Sequence, residues 1–222
     1  MENPSMTAHQ RLVVLDVDST LTQDEGIDLL AAQVSEGVAR EVAAITESAM
    51  RGELDFEQSL RKRVATLEGT PESAVHRASG KVRLSEGARI LVDTLHGGGH
   101  LVGAVSGGFH AMIDPLAEDL GLDFHRANRL EVADGLLTGK LEGPLIDASA
   151  KATTLQEWAK SAGVPQERTV AVGDGGNDVE MLAWAGLGVA YMAKPVARAA
   201  ADVALDTPDL SQILLLLGLI GD

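Results

Sequence analysis

The sequence predicts an α/β protein: a doubly wound parallel sheet with a small helical segment inserted after the first strand. Three observations lead there. Residues 11–15, RLVVL, carry a continuous apolar run, the mark of a strand buried on both faces. That run delivers two acids two positions apart, Asp16 and Asp18. Beyond residue 81, short strand-like runs alternate with helical ones, the rhythm of parallel strands joined by helical crossovers.

Each element has its own warrant. Side chains alternate along a strand, so Asp16 and Asp18 can share one direction at its carboxyl end, where open α/β sheets bind ligands. Acids in front of an apolar strand are costly unless a cation or a reaction uses them. Asp, Ser and Thr also make turns, so D-V-D-S-T alone fits a plain turn. It does not fit a calcium loop, which needs Gly at the sixth position and Glu at the twelfth, here Ile27. Residues 25–32, 38–51, 56–67 and 71–79 have apolar positions at helical spacing, as in Val42, Ile45 and Ala49. Thr70 is expected as an N-cap, with Pro71 in the first turn. Four helices without a strand make a helical cap domain over residues 23–81, and residues 1–22 and 82–222 make the core.

The core pattern continues in order. A helix is expected over 85–95, closed by the glycines at 97–99, then a strand over 100–105 ending in Ser106-Gly107-Gly108. Next come a helix over 110–120 bent or divided by Pro115, a short strand at 123–125, and a hairpin of 128–132 with 136–141 around Ala-Asp-Gly. A helix over 148–162 starts with Lys151 near its beginning. A strand at 169–172 runs into G-D-G-G-N-D, residues 173–178, followed by a helix over 179–185. Strands at 187–190 and 203–205, with helices at 196–201 and 210–217, complete a Rossmann-like core.

Composition narrows the function. With 222 residues, 45% of them hydrophobic, the chain can bury one sizeable core plus a small insert. A formal net charge of −15 argues against nucleic acid and against an anionic membrane surface as partners. The absence of cysteine excludes disulfides, thiol nucleophiles and cysteine-ligated metals, and the six histidines show no metal spacing. The N-terminus lacks the basic start and apolar run of a secretory signal, and the apolar stretch near the C-terminus is too short for a bilayer. A cytoplasmic protein is expected.

Three strand ends then offer polar groups to one rim: Asp16 with Asp18, Ser106 with Gly107, and Asp174 with Asn177 and Asp178; Lys151 can reach the same rim. Carboxylate oxygens are hard ligands suited to magnesium. Glycines after Ser106 let backbone N–H groups approach an anion. Lysine supplies a point charge for phosphoryl oxygens. A carboxylate can attack phosphorus and form an acyl phosphate once its charge is screened.

In this order D-V-D-S-T, S-G-G, the isolated lysine and G-D-G-G-N-D resemble the haloacid-dehalogenase phosphohydrolase superfamily. D-V-D-S-T-L-T-Q-D-E together with M-R-G-E-L-D-F-E-Q-S-L-R-K-R-V resembles its phosphoserine phosphatase family, and the likeness covers nearly the whole chain. The resemblance implies Asp16 as nucleophile and Asp18 as general acid and then base. It implies Mg²⁺ held by the side chains of Asp16 and Asp174 and the backbone carbonyl of Asp18, with Asp178 orienting that shell. Ser106, Gly107 and Lys151 would hold the phosphoryl group, with Asn177 close by. Glu25 would meet the ammonium of O-phosphoserine and Arg63 its carboxylate, while Met50 and Phe56 would close over it. Gly176 stands where Ala is common in this motif, a change expected to matter little. Some relatives have regulatory domains before the core. Here fifteen residues precede Asp16, so no such domain, and no allosteric control by serine through it, is expected.

Alone, most of these residues have plainer readings: Arg63 and Lys151 as surface charges, Glu25 as a first-turn helix acid, Met50 and Phe56 as core. Two other functions stay open on sequence. One is hydrolysis of, or phosphoryl transfer from, another small phosphomonoester. The other is a receiver-type switch domain that accepts phosphate without hydrolysing it.

Overall fold

The computed structural model describes residues 9–220. Among these, seven strands form one sheet: β1 (Leu12–Leu15), β2 (Leu101–Phe109), β3 (Phe124–Ala133), β4 (Leu136–Glu142), β5 (Thr169–Gly173), β6 (Leu187–Tyr191) and β7 (Val203–Leu205). Their order is β4-β3-β2-β1-β5-β6-β7, parallel throughout except for β4, which pairs antiparallel with β3. β1 lies between β2 and β5, with Leu15 opposite Ala104 on one side and Val172 on the other. Every β1 side chain is buried, which explains its unbroken apolar sequence.

The period of two divides β1 between two cores. Val13 and Leu15 pack with Leu91, Leu95, Ile113 and Ile213, from α5 (Ala88–Gly97), α6 (His110–Leu120) and α10 (Ile213–Leu216). Leu12 and Val14 pack on the other face with Leu155, Trp158 and Met181, from α7 (Ala148–Ser161) and α8 (Val179–Trp184). Burying each such side chain stabilises the fold by roughly 1.5–3 kcal/mol. With this apolar support on both faces, Asp16 leaves the sheet at a fixed point.

Four helices stand between β1 and α5: α1 (Gly26–Val34), α2 (Glu36–Met50), α3 (Phe56–Ala65) and α4 (Glu72–Ser79). Ser35 caps α2 by accepting from the Val38 N–H (3.2 Å), and Asp55 with Gln58 forms a capping box on α3. Their inward faces place Leu30, Val42, Leu60, Val64 and Val75 in a third apolar cluster, which also takes Phe109, Met112 and Leu137 from the sheet side. Two segments connect these helices to the sheet, and they clasp each other. Thr22 bridges Leu84, the Gln23 N–H donates to the Arg83 carbonyl (2.9 Å), and the Asp24 carboxylate accepts from both the backbone and the guanidinium of Arg83.

Several boundaries differ from expectation. β2 does not stop at residue 105. Four steps along it, Val105 to Phe109, match two along β3, Arg126 to Asn128, so Ser106-Gly107-Gly108 bulges from the ladder and pairing resumes beyond. β3 is one strand rather than two, because its pairing with β2 resumes at Asn128 beyond the bulge. Thr70 is not the cap of α4. Its carbonyl accepts from the Leu137 N–H (2.8 Å) and Pro71 bridges Leu136, so the hairpin draws this backbone into strand pairing. α6 runs through Pro115 as a single helix, and the expected last helix splits into a 3₁₀ turn, Leu210–Gln212, and α10. The hairpin itself follows expectation: Asp134 (φ 52°) and Gly135 (φ 76°) form its turn. α9 (Pro195–Ala200) starts on its proline, as a first-turn proline should.

Candidate active site

The carboxyl ends of β1, β2, β5 and β6 meet α1 and α3 around a cavity of about 420 Å³. Asp16 and Asp18 sit at its base, Asp174, Asn177 and Lys194 on one wall, Gly107 and Gly108 on another, and Glu25, Met50, Phe56 and Arg63 on the helical side. Asp16 follows β1 directly, its N–H donating to the Val172 carbonyl (2.8 Å). The chain then turns tightly. Asp18 has extended angles, and Ser19 takes φ 59°, a left-handed conformation uncommon for a residue with a side chain. That turn aims the Ser19 hydroxyl at Glu25 Oε1 (2.7 Å) and brings Asp18 Oδ1 to the Gly26 N–H (2.7 Å).

The bulge in β2 faces this turn. Ser106 Oγ accepts from the Gly108 N–H (2.7 Å) and donates to Asp18 Oδ2 (3.0 Å). The Asn128 side chain secures the bulge, donating to the Gly107 carbonyl (2.9 Å) while accepting from the Ile146 N–H (2.9 Å). The approach demands glycine twice. A Cβ on Gly108 would stand 2.6 Å from Asp18 Oδ2, and one on Gly107 would stand 2.8 Å from the Phe56 ring. Phe56 therefore rests on the bulge, bringing α3 down to the rim.

Beneath the cavity lies a buried charge network. Asp147 caps α7 by accepting from the Ala150 N–H (2.8 Å), which sets Lys151 in the first turn. Lys151 is fully buried, and its Nζ donates to Asp16 Oδ1 (2.5 Å) and to Asp178 Oδ1 (2.7 Å). The other Asp178 oxygen accepts from the N–H groups of Asp174 (3.1 Å) and Gly175 (3.0 Å). Asp178 thus ties the G-D-G-G-N-D loop to the lysine. Ser106, Lys151 and Asp178 stand behind the cavity wall rather than on it.

Burial pushes the Asp16 carboxyl well above the usual carboxylate range; Asp178 adds to this and Lys151 opposes it. Burial works against the Lys151 ammonium too, but Asp16 and Asp178 hold it above the usual lysine range. Asp174 is raised by burial, with Lys194 opposing. Glu25 is raised by burial and by Asp18, and Arg63 is lowered by burial against the pull of Glu25, Asp28 and Asp18. The base of the cavity is therefore short of positive charge.

That shortage fits a cation. Carboxylate oxygens of Asp16, Asp174 and Asp178 lie within 4.8 Å of one another. All are hard donors, and the two Asp178 oxygens are already engaged, which leaves Asp16 and Asp174 to face an ion. A second group of metal-capable side chains, His110, Asp114 and His125, reads differently. His110 Nε2 accepts from the Ala127 N–H (3.2 Å), which places the ring proton on Nδ1, toward Asp114 (2.7 Å). Both ring nitrogens of His110 already serve the fold.

Two features of the site were missed in the sequence. Lys194 lines the cavity from beyond β6, a fourth parallel strand end; a lysine directly before a first-turn proline at such an end was the available signal. Ser19 reads as a turn residue, and no sequence signal marks its left-handed backbone or its bond to Glu25.

A rim of this kind, paired acids after a central strand answered by a lysine and a G-D loop, defines a phosphohydrolase-type site on an α/β sheet. The model of the haloacid dehalogenase-like hydrolase family matches residues 13–183, and the chain belongs to that family. Relatives that it resembles there include phosphoserine phosphatases. The Streptomyces coelicolor phosphoserine phosphatase is 55% identical over 95% of this chain and 51% of that protein. The phosphoserine phosphatase of Streptococcus thermophilus is 47% identical over 97% of this chain and 100% of that protein. A solved structure described as a phospho-aspartyl intermediate analogue of phosphoserine phosphatase superposes with a TM-score of 0.87 at 44% identity, over 93% of this chain and 98% of that one. The chain spans about half the length of some of the curated relatives it matches. Family membership sets aside the receiver-type alternative. Among the described residues, no helix is long and apolar enough to cross a membrane.

Proposed function

We propose that this chain is a Mg²⁺-dependent hydrolase of O-phosphoserine, releasing serine and phosphate through an aspartyl phosphate on Asp16, as the last step of serine biosynthesis in the cytoplasm. The observation that carries this reading is one cavity with a carboxylate at its base and a Glu25–Arg63 pair on its wall. Phosphoserine presents a phosphate at one end and an ammonium with a carboxylate at the other. Glu25 suits the ammonium, and the Arg63 guanidinium suits the carboxylate through two parallel hydrogen bonds. Residues 23–81 act as the cap over a core of 1–22 and 82–222, with Met50 and Phe56 closing on the substrate.

The side chains of Asp16 and Asp174 and the backbone carbonyl of Asp18 would hold the Mg²⁺. Bound there, it screens the carboxylates and withdraws charge from the phosphoryl oxygens. An Asp16 oxygen attacks phosphorus, and the bond from phosphorus to the serine oxygen breaks. Asp18 gives that oxygen its proton. Asp18 then takes a proton from water, whose oxygen attacks phosphorus, and the bond to Asp16 breaks to release phosphate. Gly107 and Asn177 would hold the phosphoryl group from the cavity wall, and Ser106 and Lys151 would reach it from behind that wall. Lys151 also fixes the rotamer of Asp16, and Asp178 fixes the Asp174 loop.

The test is phosphate release, with magnesium and with chelator, from phosphoserine, phosphothreonine, phosphoglycerate and phosphoethanolamine. Phosphoserine should be preferred and chelator should abolish turnover. Arg63→Ala and Glu25→Gln should each lose about 2 kcal/mol or more, roughly thirtyfold in kcat/KM, on phosphoserine. p-Nitrophenyl phosphate offers neither group and should be nearly unaffected. Equal losses on both substrates would remove the phosphoserine assignment.

A further inference from the structure

The geometry points to Lys194 as a tethered counter-ion that competes with the divalent cation for Asp174. This rests on the metal reading above and adds a residue to it. β6 ends at Tyr191, and the chain turns at once through Met192, which takes φ 45°. A left-handed methionine is strained, and it persists only where the surroundings enforce it. Here the Met192 N–H donates to the Leu205 carbonyl (2.8 Å), two residues later the Lys194 N–H donates to the Asp174 carbonyl (2.8 Å), and Pro195 then starts α9. The turn thus secures the Lys194 backbone to the backbone of Asp174.

The side chain repeats the contact. Lys194 Nζ donates to Asp174 Oδ2 (3.1 Å) and belongs to the cavity wall. The two lysines of the site divide the acids between them, Lys151 serving Asp16 and Asp178, Lys194 serving Asp174. They differ in freedom. The Lys151 side chain is 0% exposed, whereas that of Lys194 is 59% exposed. A lysine ammonium is a point charge on a flexible stem, so Lys194 can leave Asp174 without disturbing its backbone anchor. A divalent cation arriving at Asp174 meets that ammonium at close range, and the two repel. The lysine must swing away or weaken the ion's hold. Metal affinity at this site is therefore set by a competition between the ion and an internal cation.

The experiment measures Mg²⁺ binding to the substrate-free protein by calorimetry, and by thermal unfolding across a Mg²⁺ series. Lys194→Met should tighten the Mg²⁺ Kd about two- to fivefold, the range for a partly exposed ion pair. Lys194→Arg, which keeps the charge, should stay near wild type. Arg63→Gln removes a charge from the same cavity away from Asp174 and should shift the Kd much less. An unchanged or weaker affinity in Lys194→Met overturns the proposal, as does equal tightening in Arg63→Gln, which would mean a general field effect. Asp174→Asn separates the two levels of the argument and should lose most Mg²⁺ affinity. If it binds Mg²⁺ like wild type, the metal assignment falls and the competition with it. If it loses binding while Lys194→Met matches wild type, only the competition falls.

Discussion

Replacing Lys151 by Met tests the charge network at its centre. The ammonium is fully buried between two carboxylates, at 2.5 Å from Asp16 and 2.7 Å from Asp178. Methionine fills similar space and leaves two buried acids without their partner. Breaking a buried pair costs roughly 3–5 kcal/mol, against the 5–15 kcal/mol that holds a typical domain together. The variant should fold, with its urea midpoint well below wild type in chelator. Three further readings follow from the same contacts. Added Mg²⁺ should narrow the deficit, because Asp16 regains a cation. Asp178→Asn in the Lys151→Met background should recover part of it, because an amide oxygen can still accept from the Asp174 and Gly175 N–H groups while the second bare charge disappears. The deficit should also depend on pH. A carboxyl raised above its unfolded value favours the folded state at low pH and disfavours it as pH rises. Without Lys151, Asp16 lies further in that direction, so the loss should be smallest well below about pH 4, where Asp16 is protonated in either state, and grow toward neutrality. A deficit under about 1 kcal/mol at pH 7 in chelator would match an exposed pair and refute the buried network.

Two more substitutions probe the parts that frame the site. Ser19→Ala and Ser19→Gly both remove the hydroxyl that holds Glu25, and glycine also relieves the left-handed strain. Each should lower kcat/KM on phosphoserine about two- to tenfold, the worth of one hydrogen bond, and spare p-nitrophenyl phosphate; if only alanine is impaired, backbone strain rather than the hydroxyl is what matters. Asp24→Asn loosens the clasp between the two connecting segments. The Arg83 hydrogen bonds hold the Asp24 carboxyl below its usual range, so its contribution is present above the unfolded value and lost as pH falls through the folded one. Arg83 is largely open to solvent, so the variant should lose only about 0.5–1 kcal/mol at pH 7 and progressively less as pH falls below the ordinary carboxylate value of about 4, by chemical denaturation at neutral and acid pH. A loss that persists at the lower pH would mean that packing, not charge, carries the clasp.

The fold was legible where one sequence signal had one physical cause. β1 reads from its own residues because burial on both faces leaves no polar option at 12–15. The helices at 26–50 read from apolar spacing because only one face of each is buried. Legibility failed where a distant partner decides the local backbone. Ser106-Gly107-Gly108 reads as the end of a strand, since two glycines normally stop one, yet β3 offers paired positions on both sides of the bulge and the strand continues. Thr70-Pro71 reads as a helix start, yet the hairpin some 65 residues away takes the same backbone into pairing. The site divides in the same way. Asp16, Asp18 and Asp174 stood out because acids after apolar strands have few structural uses. Lys194 did not, because surface lysines are common, and its place directly before a first-turn proline is a weak signal beside the Met192 turn and the two bonds from Lys194 to Asp174. Charges that the backbone delivers to a site by a strained turn are thus the class of functional residue that a single sequence conceals, and the Mg²⁺ titration of Lys194→Met is a direct measure of what one of them does.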